Sequence, residues 1–228
     1  MMKSNRRSVV IKIFLFLVSI SILIGVIYFF KIGINIFRVK NILVTGDPVQ
    51  IEIKESLFVN NILFFPSDAV IRELKLNNPL VKTIEIKKKF PSTLEFVIYK
   101  RSPIAEIITN GIQIGVDEDN VITEIVANNQ LPVIVIDIPL VRIGATVKHP
   151  SIVQAVALIR ITKSFIQWSH IEPFETQSIR AKTGQTDILI TQTSDLTYVR
   201  DTLQTLIEGF RIKGTMPKSI DLRFSKPV

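Results

Sequence analysis

The chain has 228 residues, a net charge of +8, 47% hydrophobic residues and no cysteine. The lack of cysteine excludes disulfides and thiolate metal sites, but it leaves the compartment open because an oxidising compartment does not require disulfides. Residues 1–40 carry seven of the 28 Lys and Arg and none of the 20 Asp and Glu, so 21 basic and 20 acidic residues remain for the rest. The basicity therefore belongs to the N-terminal segment and does not indicate binding to nucleic acid.

A membrane-spanning helix is predicted over residues 13–31. The run from Ile13 to Phe30 contains no charged residue, and a helix of about 18 residues covers most of a hydrocarbon core roughly 30 Å thick. The run ends in Tyr28-Phe29-Phe30, which is typical of a membrane interface, and no small-residue cleavage site follows it. A retained anchor is therefore favoured over a cleaved secretory signal peptide.

The charges beside this run predict its orientation. Lys31 follows the run directly, and Arg38 and Lys40 lie further on, whereas four basic residues precede it: Lys3, Arg6, Arg7 and Lys12. The positive-inside rule then favours a cytoplasmic tail over residues 1–12 and places the chain beyond residue 31 outside the cytoplasm.

A strand and two helices are predicted next. Residues 39–46 are β-branched and apolar and close with a glycine, which indicates a strand followed by a turn. Residues 51–61 fit one short helix, although a strand is an alternative. Ser67 or Asp68 can cap a further helix that ends before Pro79, because the residue before a proline is disfavoured in the α region.

A β-hairpin completes this part of the chain. Residues 81–88 and 94–99 alternate between apolar and polar side chains, and residues 89–93 form the turn between them. The three lysines Lys87–Lys89 at its tip are more typical of a solvated hairpin end than of a nucleic-acid-binding patch. The predicted order is strand, helix, helix, strand, strand.

The remainder predicts a β-rich domain with two helices. Ser151 is expected to cap the first helix, whose apolar spacing runs to Ile166, and Ser194 or Asp195 the second. The strand-like stretches are 108–116, 120–125, 131–138, 177–181, 187–191 and 219–224.

No group of residues in the sequence predicts an enzyme or a cofactor. His149 and His170 lack metal-site spacing, and there is no cysteine to complete a zinc site. The acidic run Asp117–Asp119 could serve a glycosidase, but adjacent carboxylates on a strand turn point apart. Neither a Gly-rich phosphate loop nor a convincing serine-nucleophile motif occurs. Function is therefore expected to reside in surfaces, with no small-molecule substrate.

The order of motifs resembles the FtsQ/DivIB family of bacterial cell-division proteins. The resemblance covers nearly the whole chain, including the apolar run and the closing strand. Two departures are Lys100, where the family usually has Glu, and Asn120, which replaces a turn glycine but tolerates the left-handed conformation. The matching positions are Val39, Ile42, Val44, Gly46, Val81, Ile84, Ile86, Phe90, Pro91, Thr93, Leu94, Arg101, Pro103, Ala105, Val116, Asp117 and residues 220–224.

The resemblance implies an α+β fold with a POTRA domain (β-α-α-β-β) over residues 38–102 and, over residues 103–228, a β domain with a curved sheet and two helices. It implies a single-pass inner-membrane protein concentrated at the division septum. Such a scaffold binds the membrane proteins FtsB and FtsL and so links early assembly to septal peptidoglycan synthesis by the associated synthase.

The partner-binding site implied by the resemblance is the closing strand, with Leu222, Arg223, Phe224 and Ser225. Exposed edge strands accept a partner by β-augmentation, and Arg and aromatic residues are enriched at interface hot spots. The alternative is that Phe224 belongs to the core and Arg223 is merely solvated. Phe165 and Trp168 could form a second anchor, although aromatic residues at a helix end are more often core.

Two other functions remain as alternatives. A POTRA-bearing protein-translocation component is expected to carry repeated POTRA units and a barrel, and this chain has neither signal. A membrane-tethered wall hydrolase would be revealed by cleavage of peptidoglycan in a zymogram.

Overall fold

The computed structural model describes residues 4–49, 51, 60–124, 131–139 and 142–224. It is a mixed α+β structure with an apolar N-terminal helix and two sheets. The chain divides into two compact units. The first comprises Met1–Asn77 and Val81–Tyr99, and the second comprises Asn78–Leu80 and Lys100–Val228.

The N-terminal helix α1 (Ser4–Ile36) contains the predicted spanning segment and extends beyond it at both ends. Its stretch Ile11–Phe29 has a mean hydropathy of 2.5 and none of it is buried within the protein. This helix is long and apolar enough to cross a membrane, and it is the one such helix in the described part of the chain.

The first unit contains a three-stranded sheet and one described helix beyond α1. The elements are β1 (Asn41–Gly46), α2 (Ser67–Asn77), β2 (Val81–Lys89) and β3 (Thr93–Lys100). The strand order is β1-β3-β2, with β1 parallel to β3 and α2 packed on β2. Alternation along β3 buries Leu94, Phe96 and Ile98 in the core, as expected for a half-buried strand.

These elements agree with the predicted first strand, the helix that ends before Pro79 and the hairpin. Helix α2 begins at Ser67 and Asp68 lies in its first turn, so both predicted capping residues lie within the helix. The helix proposed over residues 51–61 falls mostly on residues 52–59, which lie outside the described residues. Of the predicted strand-helix-helix-strand-strand order, the first strand, the second helix and the last two strands are present as β1, α2, β2 and β3.

The second unit is built on an eight-stranded sheet with the order β11-β10-β9-β8-β7-β4-β5-β6. The pairs β10/β11, β4/β7 and β7/β8 are parallel. The elements in chain order are β4 (Ala105–Thr109), β5 (Ile112–Val116), β6 (Ile122–Thr123), β7 (Val133–Val135), α3 (Pro150–Thr162), β8 (His170–Phe174), β9 (Ser178–Thr183), β10 (Thr186–Thr191), α4 (Leu196–Lys213) and β11 (Ser219–Asp221).

The core of this unit lies between the sheet and its two helices. Helix α3 packs on α4 and against β8 and β9. Helix α4 buries Val199, Leu203 and Ile207, which are four residues apart and so share one face. Buried strand residues such as Ile134 and Ile188 complete the same cluster.

Three features of the strands differ from the prediction. Residues 108–116 form a hairpin of β4 and β5 and not one strand, because Asn110 and Gly111 both have positive φ, as a tight hairpin turn requires. Strand β8 was not predicted, because its sequence lacks the alternation of apolar and polar residues that marks a half-buried strand and contains a proline. Ile171 is the one buried residue of β8, and Pro173 is its proline. The closing strand is also shorter than predicted and ends at Asp221.

The two helix starts had different outcomes. Asp195 caps α4 as expected, and its carboxylate accepts a hydrogen bond from the Thr197 amide at 2.8 Å. Ser151 does not cap α3, because His149 occupies the cap position and Ser151 is buried in the first turn. Ile166 lies beyond the end of that helix.

Candidate functional site at the last strand

Strand β11 lies at one edge of the eight-stranded sheet. Among the described strands it has a neighbour on one side only, β10, with Ile188 opposite Ile220. The pairing continues one residue further, where the Leu222 amide donates to the Leu189 carbonyl at 2.9 Å. Ile220 and Leu222 are 3% and 4% exposed, so both belong to the core. Asp221 and Arg223 alternate with them and lie at the surface.

The side chain of Arg223 is bound by two carboxylates. Its Nε and Nη2 donate to Asp221 at 2.7–3.1 Å, and its Nη1 donates to Glu175 Oε2 at 2.7 Å. The hydrogen bond from Arg223 holds the pKa of Asp221 below its ordinary value, and the same bond raises the pKa of Arg223. The guanidinium is therefore held in one orientation.

Aromatic rings flank this ion pair. The Arg223 guanidinium lies 5.7 Å from the ring centroids of both Phe174 and Phe224. Arg180, on strand β9, lies 4.0 Å from the ring centroid of Phe174, on strand β8, and pairs with Glu172 at 3.1 Å. We refer to these side chains as the Arg223 cluster: Phe174, Glu175, Arg180, Asp221, Arg223 and Phe224.

Three of the four predicted partner-binding residues are described, and they differ in accessibility. Phe224 is 61% exposed, so the alternative that assigned it to the core is wrong. Arg223 is held in ion pairs and is not merely solvated. Leu222 packs in the core, which leaves its side chain inaccessible, and Ser225 lies outside the described residues.

Sequence reasoning named Arg223 and Phe224 but missed the other four members of the Arg223 cluster. Phe174, Glu175 and Arg180 come from β8, β9 and the turn between them, more than 40 residues before Arg223. No local pattern marks these residues, because β8 itself has no clear alternation. Only the pairing of four strands brings them to the end of β11.

The arrangement is suited to binding a chain segment. The outer side of β11 faces no described strand and offers backbone groups to an incoming strand. Phe224 adds exposed apolar surface beside a fixed guanidinium. Ordered aromatic and Arg side chains of this kind are typical of interface hot spots.

The acidic run at Asp117–Asp119 forms a turn held by Arg101. Asp117 accepts from the backbone amides of Asp119 and Val121 at 2.9 and 2.8 Å, and Asp117 and Asp119 both bind Arg101 Nη1. Burial lowers the pKa of Arg101, but its bonds to the two carboxylates outweigh burial and leave that pKa raised. Asn120 has φ of 63°, so the expected left-handed turn is present.

The other candidate groups have local roles. Lys100 pairs with Glu124 at 3.0 Å. Trp168 is buried and donates to the Thr162 hydroxyl at 2.7 Å, which places it in the core. His170 lies 3.3 Å from Glu172. Within the described ranges, no three His, Asp or Glu side chains come together in a way that could hold a metal.

A hollow of about 790 Å³ in the second unit lies where α3 and α4 end. Lys163, Arg211 and Lys218 line it, and Arg211 donates to the Phe165 carbonyl at 3.2 Å. Basic residues at the end of a helix complement its dipole, which accounts for Lys163 and Arg211 without a ligand.

A comparison with models of known protein families and a comparison with curated proteins each found no match.

Proposed function

We propose that the chain is a membrane-anchored scaffold of the bacterial division machinery, of the FtsQ/DivIB type. In this proposal α1 spans the inner membrane once, with residues 1–12 in the cytoplasm and both compact units in the periplasm at the septum. Residues 38–102 act as a POTRA domain and residues 103–228 as the domain that binds FtsB and FtsL. The protein has no catalytic role and connects these partners to septal peptidoglycan synthesis.

The observation that carries this proposal is the order of parts in one chain. A helix able to span a membrane leads directly into a small unit with β1, α2, β2 and β3 in the order expected of a POTRA domain. A larger sheet follows and finishes in an edge strand. The resemblance to the FtsQ/DivIB family rests on motifs spread over the same parts.

The Arg223 cluster supplies the proposed mechanism of capture. A strand from the partner would extend the sheet along β11, and main-chain hydrogen bonds would provide affinity. Phe224 would become buried, and Arg223 would offer a charge-assisted hydrogen bond from a position fixed by Asp221. Because its orientation is already set, Arg223 loses little freedom on binding.

The test is a titration of the full chain in detergent micelles with the FtsB/FtsL complex of the same organism. Phe224→Ala and Arg223→Ala should each weaken binding by more than about 1 kcal/mol. Ile212→Ala and Arg200→Ala serve as matched controls, since both residues lie exposed on α4 of the same unit and should leave binding unchanged. Trp168 fluorescence verifies that each variant remains folded.

Two outcomes would count against the proposal. Equal binding by folded Phe224 and Arg223 variants would place the site elsewhere on the chain. Normal septation in cells depleted of the protein would contradict the division role itself.

A further inference from the structure

The first unit is joined to α1 without a flexible linker. Helix α1 ends at Ile36, and the next residue, Phe37, already packs against the core of the unit. The Phe37 carbonyl accepts from the Ile62 amide at 2.7 Å, and the Val39 amide donates to the Asn60 carbonyl at 3.0 Å. The orientation of this unit is therefore tied to the end of α1.

The same end of the unit carries the tip of the β2–β3 hairpin. The ring of Phe90 meets that of Phe37 edge-on, with centroids 6.3 Å apart. The Lys40 amide donates to the Ser92 carbonyl at 2.8 Å, and Lys88 Nζ reaches the Leu63 carbonyl at 3.2 Å. The hairpin tip and residues 60–64 thus both lie against the residues that follow α1.

Exposed apolar side chains gather at this end. Phe64 is 85% exposed, Phe90 60% and Leu63 45%. A single exposed apolar residue is ordinary, but a group of them marks an interaction site. We call this end of the unit the Phe64/Phe90 face and define it by Lys40, Leu63, Phe64, Lys87, Lys88 and Phe90. Lys87 and Lys88 are neighbours in β2, so their side chains point to opposite sides of the sheet at this end.

The charge on this face is positive. Lys40 and Lys87 are exposed, and Lys87 makes only a long contact of 3.8 Å with Glu85, itself at the surface. Exposed contacts of this kind are weak and do not cancel the attraction of a lysine for other anions. Aromatic rings interleaved with lysines are the combination that suits the headgroup region of a bilayer.

The length of α1 brings this face close to the bilayer surface. The apolar stretch ends at Phe29, and from there to Phe37 the chain rises about 12 Å. The headgroup region on each side of the hydrocarbon core is about 5–8 Å thick, so Phe37 emerges a few Å beyond it, and long aromatic and lysine side chains at this end of the unit can still reach the headgroups. Phe90, which touches Phe37, lies at the same level.

We infer that the Phe64/Phe90 face rests on the membrane in which α1 is embedded, with Phe64 and Phe90 inserted among the headgroups and Lys40 and Lys87 on anionic phospholipid. The inference depends on α1 spanning the membrane, as in the proposed function, but not on the division role or on any partner. Contact at the face limits the tilt of the first unit and so orients it relative to the bilayer.

The test uses the absence of cysteine in the native chain. Phe64→Cys and Phe90→Cys place a single environment-sensitive fluorophore (NBD) on the face of the full-length protein. Leu76→Cys is the matched control, because Leu76 is 81% exposed near the far end of α2 in the same unit. Gly25→Cys, inside α1, reports whether the anchor is inserted.

The labelled proteins are reconstituted in vesicles of phosphatidylcholine with one quarter phosphatidylglycerol, and quenching by nitroxide-bearing lipids is measured. Labels at positions 64, 90 and 25 should emit at shorter wavelength and be quenched, whereas the label at position 76 should behave as in water. Lys40→Gln and Lys87→Gln should each lower the ratio of docked to undocked protein about fivefold. Lys75→Gln, on α2, should not change this ratio.

Three results would overturn the inference. If the labels at 64 and 90 are quenched no more than the label at 76 while the label at 25 is quenched, α1 is inserted in the membrane but the face does not contact lipid. If the label at 25 is not quenched, α1 does not span the membrane, and the inference about the face is wrong as well. If the labels at 64 and 90 leave water only when a partner protein is added, the face binds protein and not lipid.

Discussion

Asp221 and Arg223, two residues apart at the end of β11, form an ion pair in which Nε and Nη2 of the arginine both donate to the aspartate. The Arg223 backbone amide donates to the same carboxylate at 3.0 Å. One aspartate thus fixes the main chain and the side chain of the residue that we place at the centre of partner binding.

If the chain binds FtsB and FtsL as proposed, Asp221→Asn is expected to weaken that binding, because Arg223 loses its hydrogen bonds to the Asp221 carboxylate and its fixed orientation. The loss should be smaller than for Arg223→Ala, since Glu175 still holds one nitrogen of the guanidinium. Titration of the full chain in micelles measures the difference. Equal binding by Asp221→Asn and the parent would show that the orientation of Arg223 is unimportant.

The same ion pair predicts a dependence of stability on pH. Because the pKa of Asp221 is lowered in the folded protein, the pair stabilises fully above the ordinary Asp pKa of about 3.9. This stabilisation is lost as the pH falls through the lowered value. The stability difference between the parent and Asp221→Asn, followed by urea unfolding, should therefore be constant near neutral pH and vanish in acid. Asp201→Asn, at an exposed position on α4, is the control.

Arg101→Ala is expected to destabilise the second unit by about 2–3 kcal/mol, because it leaves the buried carboxylate of Asp117 without a cation. Asp119→Asn should cost less than about 1 kcal/mol, since that side chain is 51% exposed. Urea unfolding in micelles, followed by the fluorescence of the single Trp168, measures both. Similar losses for the two variants would contradict the assignment of Asp117 as the buried partner.

Gly46→Ala is expected to disrupt the end of β1. Gly46 has φ of 97°, and an added Cβ would lie 2.1 Å from the Ile98 carbonyl oxygen. The cost should be at least about 2 kcal/mol, visible as faster hydrogen exchange in β1 and β3. Gly209→Ala, in α4, is the control: apart from the neighbouring backbone of its own helix, the added Cβ would meet no atom within 4 Å, and the change should stabilise the helix by about 0.5–1 kcal/mol.

Leu203→Ala should cost about 2–5 kcal/mol in the second unit, because Leu203 is fully buried between α4 and the sheet. Ile212→Ala on the same helix should change stability by less than about 0.5 kcal/mol, since Ile212 is 88% exposed. Urea unfolding followed by Trp168 fluorescence distinguishes the two. A small effect of Leu203→Ala would mean that α4 does not pack as described.

Local signals predicted a large part of the fold. The apolar run predicted α1, Asp195 predicted the start of α4, and the alternation of apolar and polar residues predicted the hairpin of β2 and β3. The Asn110-Gly111 pair was also present as a turn signal, so the hairpin of β4 and β5 could have been found from the sequence.

Ser151 shows why a local signal can fail. Its hydroxyl accepts a hydrogen bond from Gln192, 41 residues later, and it lies buried in the first turn of α3. The sequence around position 151 contains a good capping residue, but a distant contact uses it differently. Helix α3 begins instead with Pro150, which suits the first turn of a helix.

The sequence by itself determined the apolar helix, the mixed α+β character and the alternation that buries one face of each longer strand, because these depend on residues within a few turns of one another. Only the tertiary structure decided that Phe174, Glu175 and Arg180 meet Arg223, and that Phe64 and Phe90 lie beside the end of α1. Such contacts depend on which strands pair and in what register. The choice of strand partners and register depends on burial across the whole unit, so it cannot be predicted from any short stretch of sequence.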